Sequence, residues 1–156
     1  MDIRFIKAKV NDSEKLADVS QRAFENDINY GSTSIGGPPG YKSPLWQGKM
    51  MRLGDYYKIL ADKQIIGGMI VFEKGIRDYE LGRIFLAPEY QNQGIGVKAF
   101  DFLWKTYYLG KRWTLGTPAW NLRNRHFYKK VGFLEIGEDG HGGILFERKI
   151  PVHKPT

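Results

Sequence analysis

Cysteine is absent from the chain, which excludes disulfides, thiolate metal sites and a cysteine nucleophile and fits a reducing compartment. No apolar run approaches the length of a membrane span, and the opening residues lack the layout of a secretory leader, so a cytoplasmic protein without membrane association is expected. The three histidines, His126, His141 and His153, are scattered. Without cysteines or clustered carboxylates they offer neither a metal-ligand set nor a Ser-His-Asp arrangement. Acids are scarce where bases gather. From Lys98 to Lys130, eight basic residues (Lys98, Lys105, Lys111, Arg112, Arg123, Arg125, Lys129, Lys130) stand against one acid, Asp101, in a chain of net charge +7. Such a stretch suits a polyanionic ligand or nucleic acid, with a solvated basic face as the plainer reading.

What is present describes one globular domain. The 156 residues, 42% hydrophobic and 14% aromatic, suffice for one sizeable core; a domain over 1–150 and a tail over 151–156 are expected. Ile3-Arg4-Phe5-Ile6-Lys7-Ala8 alternates as a half-buried strand does. Caps at Asn11-Asp12-Ser13 precede Leu16, Val19 and Ala23 at helical spacing, predicting a helix to about Glu25. Glycines and prolines interrupt residues 29–44, after which a helix resumes to Leu53. Strands are predicted at Tyr56 to Ala61 and Ile65 to Phe72, hinged at Asp62-Lys63-Gln64, and at Tyr79 to Ala87. A helix follows Gly94, with Val97, Phe100, Leu103, Trp104 and Tyr107 on one face and Gly110 as its stop. Then come a strand at Trp113 to Thr117, a helix at Asn121 to Lys130, and strands at Phe133 to Ile136 and Ile144 to Ile150. This order of elements predicts an α/β (α+β) fold, a mixed, mostly antiparallel sheet flanked by helices.

The run Leu86-Ala87-Pro88-Glu89-Tyr90-Gln91-Asn92-Gln93-Gly94-Ile95-Gly96 carries the most chemistry. An apolar strand ends at a proline, a polar turn enters two glycines, and a helix begins with its N–H groups free; this is an anion site. Gly94-x-Gly96-x-x-Ala99 also fits a dinucleotide fingerprint. That fingerprint requires an acid about 20 residues on, and Thr114 to Trp120 contain none. An NTPase loop is excluded because no Lys-Ser or Lys-Thr follows the glycines.

Gln91, Gly94 and Gly96 match the Q/R-x-x-G-x-G/A signature of the GCN5-related N-acetyltransferases (GNAT). A second segment, Asn121-Leu122-Arg123-Asn124-Arg125-His126-Phe127-Tyr128-Lys129-Lys130-Val131-Gly132-Phe133, resembles that family's N-x-x-x-x-x-[FL]-Y-x-K-x-G-F segment, one helix and one strand later. The resemblance covers nearly the whole chain; residues 27–54 look individual. It implies the family's fold, with splayed central strands, and an acetyl-coenzyme A-dependent N-acetyltransferase acting on a primary amine. It implies that Gln91, Asn92, Gln93, Gly94, Ile95, Gly96 and Val97 hold the pyrophosphate. Ile84, Phe85 and Leu86 would pair through their backbones with the pantetheine, the Leu86 N–H serving the thioester oxygen. Asn121 would contact the arm or order the strand end, beside Phe127. The Tyr128 hydroxyl would point at sulfur as a general acid, since a phenol of pKa about 10 is neutral at working pH; a core aromatic is the alternative.

Glu80 is the expected base, because strand alternation places Glu80, Gly82, Ile84 and Leu86 on one face and histone-type members of the family have a glutamate there. The alternative is a surface ion pair with Arg83 or Arg77. Tyr30, Tyr41, Trp46 and Trp120 are expected to line the acceptor cleft. No nucleophile suited to an acyl-enzyme stands out, so direct attack in a ternary complex is expected. Acetyl-coenzyme A and an amine are the expected partners, with no metal and no nucleic acid; a homodimer is compatible with the sequence. A coenzyme A-binding sensor of the same fold and a basic nucleic-acid-binding module stand as alternatives.

Overall fold

The computed structural model describes residues 1–151; the tail beyond, with His153, lies outside the described residues. Seven strands form one sheet in the order β1-β2-β3-β4-β5-β7-β6, with β1 Ile3–Lys7, β2 Asp55–Ala61, β3 Gln64–Gly75, β4 Asp78–Leu86, β5 Arg112–Pro118, β6 Leu134–Glu138 and β7 Gly143–Lys149. Neighbours are antiparallel except β4 and β5, which run parallel. Helices α1 Ser13–Glu25 and α2 Pro44–Leu53 cover one face, α3 Ile95–Thr106 and α4 Leu122–Lys130 the other. Among the described residues no helix is long and apolar enough to cross a membrane.

Local chemistry accounts for most of these elements. Leu16, Val19 and Ala23 are buried along one stripe of α1, against Tyr56, Ile70 and Phe85 of the sheet. Ser43 caps α2, its hydroxyl accepting from the Trp46 N–H at 3.1 Å, and Pro44 opens the helix. Asp62 and Lys63, at φ 46° and 78°, make the two-residue turn whose twist suits the β2–β3 hairpin. Helix α3 buries Ala99, Phe100 and Leu103 against Tyr57, Met69 and Trp113, and Ile95 against Ile59 and Ile66. It ends at Thr106 rather than at Gly110, because residues 107–110 close into a turn with the Gly110 N–H on the Tyr107 carbonyl. Val97, expected on the core face, is 44% exposed.

One irregularity positions the site. Ile70 pairs with Arg83 but Val71 pairs with Leu81, so Gly82 is an extra residue bulged out of β4. A side chain there would enter the Phe72 ring, 2.5 Å from the position of a Cβ. Beyond the bulge the alternation inverts. Leu81 faces the α3/α4 core, and so does Ile84 three residues on, while Phe85 faces α1.

Candidate active site

Strands β4 and β5 pair only between Asp78–Glu80 and Arg112–Thr114. Arg112 clamps this closed end, reaching Glu147 at 2.7 Å and Asp78 at 3.2 Å. Further along, β4 stays with β3 and β5 stays with β7, so the two diverge and leave a V-shaped gap. The Ala87 N–H donates to the Ile66 carbonyl across β3. By the alternation of an antiparallel ladder, the peptide groups of Leu86 and Ile84 therefore turn into the gap, and that of Phe85 turns away. The expected backbone role thus fits Ile84 and Leu86. Phe85 contributes its side chain instead.

A cavity of about 420 Å³ continues the gap to the start of α3. Of the residues the sequence grouped around a nucleotide ligand, all but Gln93 and Asn121 line it; Gln93 donates to the Glu89 carbonyl, and Asn121 lies on the neighbouring cavity. Asn92 and Gly94 take positive φ, 61° and 81°, folding the turn so that the first N–H groups of α3 open onto the cavity. Gly96 is required for close approach: a Cβ there would stand 2.8 Å from the Phe127 ring. Lys130 adds a positive charge to the wall. Gln91 behaves differently from expectation. Its side chain donates to the Leu86 carbonyl at 2.9 Å and accepts from Arg123 at 2.8 Å, bracing the end of β4 against α4.

A second cavity, about 460 Å³, opens on the other side of the gap. Tyr128, Asp27, Phe24, Ile84 and Asn124 line both. Asn121, buried, caps α4 by accepting from the Asn124 N–H at 3.0 Å. That cap fixes the helix whose second turn carries Tyr128. The Tyr128 ring packs edge-on against Phe100, Phe133 and Phe146, and burial pushes its hydroxyl up to about 12. Asp27, just after α1, is 3.3 Å from Arg123, whose guanidinium lies 3.6 Å from the centre of the Tyr30 ring. Burial raises the Asp27 pKa, and the nearby Arg123 offsets this only in part.

Four expectations are corrected. Glu80 lines neither cavity; it pairs with Lys74 at 3.9 Å, because the bulge at Gly82 separates its face from that of Ile84 and Leu86. Tyr30 lies beneath Arg123 rather than on the cavity wall. Tyr41 packs on Phe24 and Trp46 beneath Arg83, so both hold the 31–43 segment down. Trp120 does line the second cavity. Sequence reasoning passed over Asp27 and Arg123 as partners, since 96 positions separate them. Of the basic stretch, Lys105, Arg112, Arg123, Arg125 and Lys129 are ion-paired, so the face is far less positive than its composition.

A family model described as an acetyltransferase (GNAT) domain matches residues 53–135. The fold overlays on PaiA N-acetyltransferase from Thermoplasma acidophilum in complex with coenzyme A, with a TM-score of 0.83 and 22% identity over 96% of this chain and 100% of that one. It overlays on the ribosomal-protein-S18-alanine N-acetyltransferase of Escherichia coli with a TM-score of 0.75 and 15% identity, over 98% and 97% of the two chains. The Bacillus subtilis protein YrkN is 34% identical over 79 residues, 49% of this chain. The match spans 43% of that relative's length.

Proposed function

The chain belongs to the GNAT acetyltransferase family, and from that premise we propose that it transfers acetyl from acetyl-coenzyme A to a primary amine by direct attack in a ternary complex. The observation that carries this reading is the gap between β4 and β5. It exposes peptide groups of Ile84 and Leu86 at one end of a cavity and the N–H groups of α3 at the other, with Tyr128 between that cavity and a second one.

The first N–H groups of α3 and the Lys130 ammonium hold the pyrophosphate. The Ile84 and Leu86 peptide groups take the pantetheine arm as an added strand, and the Leu86 N–H is the oxyanion donor. Acetyl-coenzyme A, when bound, supplies an acyl group activated as a thioester. Tyr128 acts at sulfur. Its phenol, at about 12, keeps its proton opposite a thiolate of pKa about 8.5 in water, so it stabilises the leaving group by donating a hydrogen bond rather than by surrendering the proton. Asp27 takes the place expected for Glu80: it borders both cavities, and its raised pKa makes it a better proton acceptor than an exposed aspartate.

Two results test this. Acetyl-coenzyme A at ~100 times its dissociation constant stabilises the protein by about 2.7 kcal/mol, a rise of roughly 5–10 °C in melting temperature for a chain of this size. NAD and adenosine diphosphate give smaller shifts. A larger shift with NAD refutes the reading. Asp27→Asn lowers kcat about 100-fold, the low end for losing a general base, and removes the acid limb of its pH profile. The sign follows from the base being active when ionised, so the wild-type rate climbs with pH through the raised pKa. An unchanged acid limb assigns the proton to another group.

A further inference from the structure

Arg83 stands immediately after the β4 bulge and lines the second cavity. Its guanidinium lies 4.0 Å from the centre of the Trp46 ring and 5.9 Å from that of Phe24, and one Nη donates to the Pro39 carbonyl at 3.1 Å. Among the described residues no carboxylate comes within ion-pair distance of it, and Pro39 is its one hydrogen-bond acceptor. The cavity's acid, Asp27, is already engaged by Arg123. Burial pulls the Arg83 pKa down to about 10, and the group is still a cation at neutral pH.

A half-buried guanidinium without a counter-ion is costly unless a ligand completes it. Its planar fork, held flat by the Trp46 ring, matches a carboxylate in two-point fashion. The remaining polar groups on the wall, among them Ser32, Ser34, Thr117 and Asn121, are neutral. A polycationic acceptor would meet Arg83 and find a single acid, Asp27, for all its charges.

Resting on the acetyl-transfer reading above, we propose that the acceptor is an amino acid, its carboxylate clamped by Arg83 and its amine presented to Asp27 and Tyr128. Arg83 is then a specificity residue acting on the end of the acceptor that does not react.

The test is thiol release from acetyl-coenzyme A with the standard amino acids, their α-carboxamides, and putrescine as an amine without a carboxylate. The wild type turns over at least one amino acid with kcat/KM between ~10- and ~100-fold above its carboxamide. Arg83→Met abolishes that preference, raising KM for the acid far more than KM for the carboxamide; Arg83→Lys retains part of it. Equal losses on acid and carboxamide, in a variant whose melting temperature has fallen, show that Arg83 only pins the 31–43 segment and overturn the proposal. So does a wild type that prefers carboxamides or putrescine, or that is stabilised by acetyl-coenzyme A yet accepts no amino acid. Absence of any stabilisation by acetyl-coenzyme A removes the acetyl-transfer reading itself, a failure separable from the others.

Discussion

Tyr128→Phe lowers kcat at least ~100-fold, the lower range for removing one preorganised hydrogen-bond donor to charge that develops in the transition state, while acetyl-coenzyme A still stabilises the protein as in the wild type. The substitution isolates one oxygen. The ring stays where Phe100, Phe133 and Phe146 hold it, and phenylalanine loses no buried apolar surface, so fold and ligand cavity persist. The lost hydrogen bond matters only as charge develops on sulfur, so the loss falls on kcat and leaves KM for acetyl-coenzyme A nearly unchanged. Because the phenol sits near 12, the defect is constant from pH 6 to 9. Steady-state rates of the variant across that range check this. An unaltered kcat would make Tyr128 a core aromatic and leave the leaving thiolate to water.

Gly67→Ala destabilises the fold by about 3 kcal/mol, at the upper end for forcing extra volume into a packed interior, and lowers the melting temperature by roughly 6–12 °C. A Cβ on Gly67 would stand 2.3 Å from the Phe85 carbonyl oxygen and 3.3 Å from the Leu86 Cα. Those are backbone atoms of β4, fixed by the pairing of Gly67 with Leu86 and Gly68 with Phe85, and they cannot swing aside as a side chain does. Relief requires β3 and β4 to part where Leu86 turns its peptide into the gap, so stabilisation by acetyl-coenzyme A is lost with the strand pairing. Gly75→Ala in the same strand is the control. Its Cβ would find only Asp78 Cβ at 3.7 Å, ordinary contact, and the change stays within about 0.5 kcal/mol. Thermal melts of the two variants, with and without ligand, separate the cases; equal melting temperatures would refute the close approach at Gly67.

These two positions differ in how far the sequence announces them. Tyr128 sits in a segment whose spacing points to its place, seven residues after the Asn121 that caps its helix. Gly67 stands in an apolar run, where nothing local distinguishes it from Gly68. Asp27 and Glu80 make the same contrast among acids. Glu80 follows the rule of alternation and is displaced by a single inserted residue. Asp27 follows no rule and arrives at the cavity because α1 delivers it opposite α4.

Features whose causes lie within a few residues were determined by the sequence itself. Periodic burial made α1 and α3, Ser43 with Pro44 started α2, positive φ at Asp62 and Lys63 turned the β2–β3 hairpin, and the Gln91 to Gly96 turn opened the N-terminus of α3. Each depends on backbone sterics and hydrogen bonds that the neighbouring side chains supply. Tertiary structure alone decided the bulge at Gly82, the ion pair of Asp27 with Arg123, the hydrogen bond from Arg123 to Gln91, and the Arg83 guanidinium without a counter-ion among the described residues. The reason is geometric: a strand's register and the partner of a charge are set by what packs against them from elsewhere in the chain, such as the Phe72 ring over Gly82.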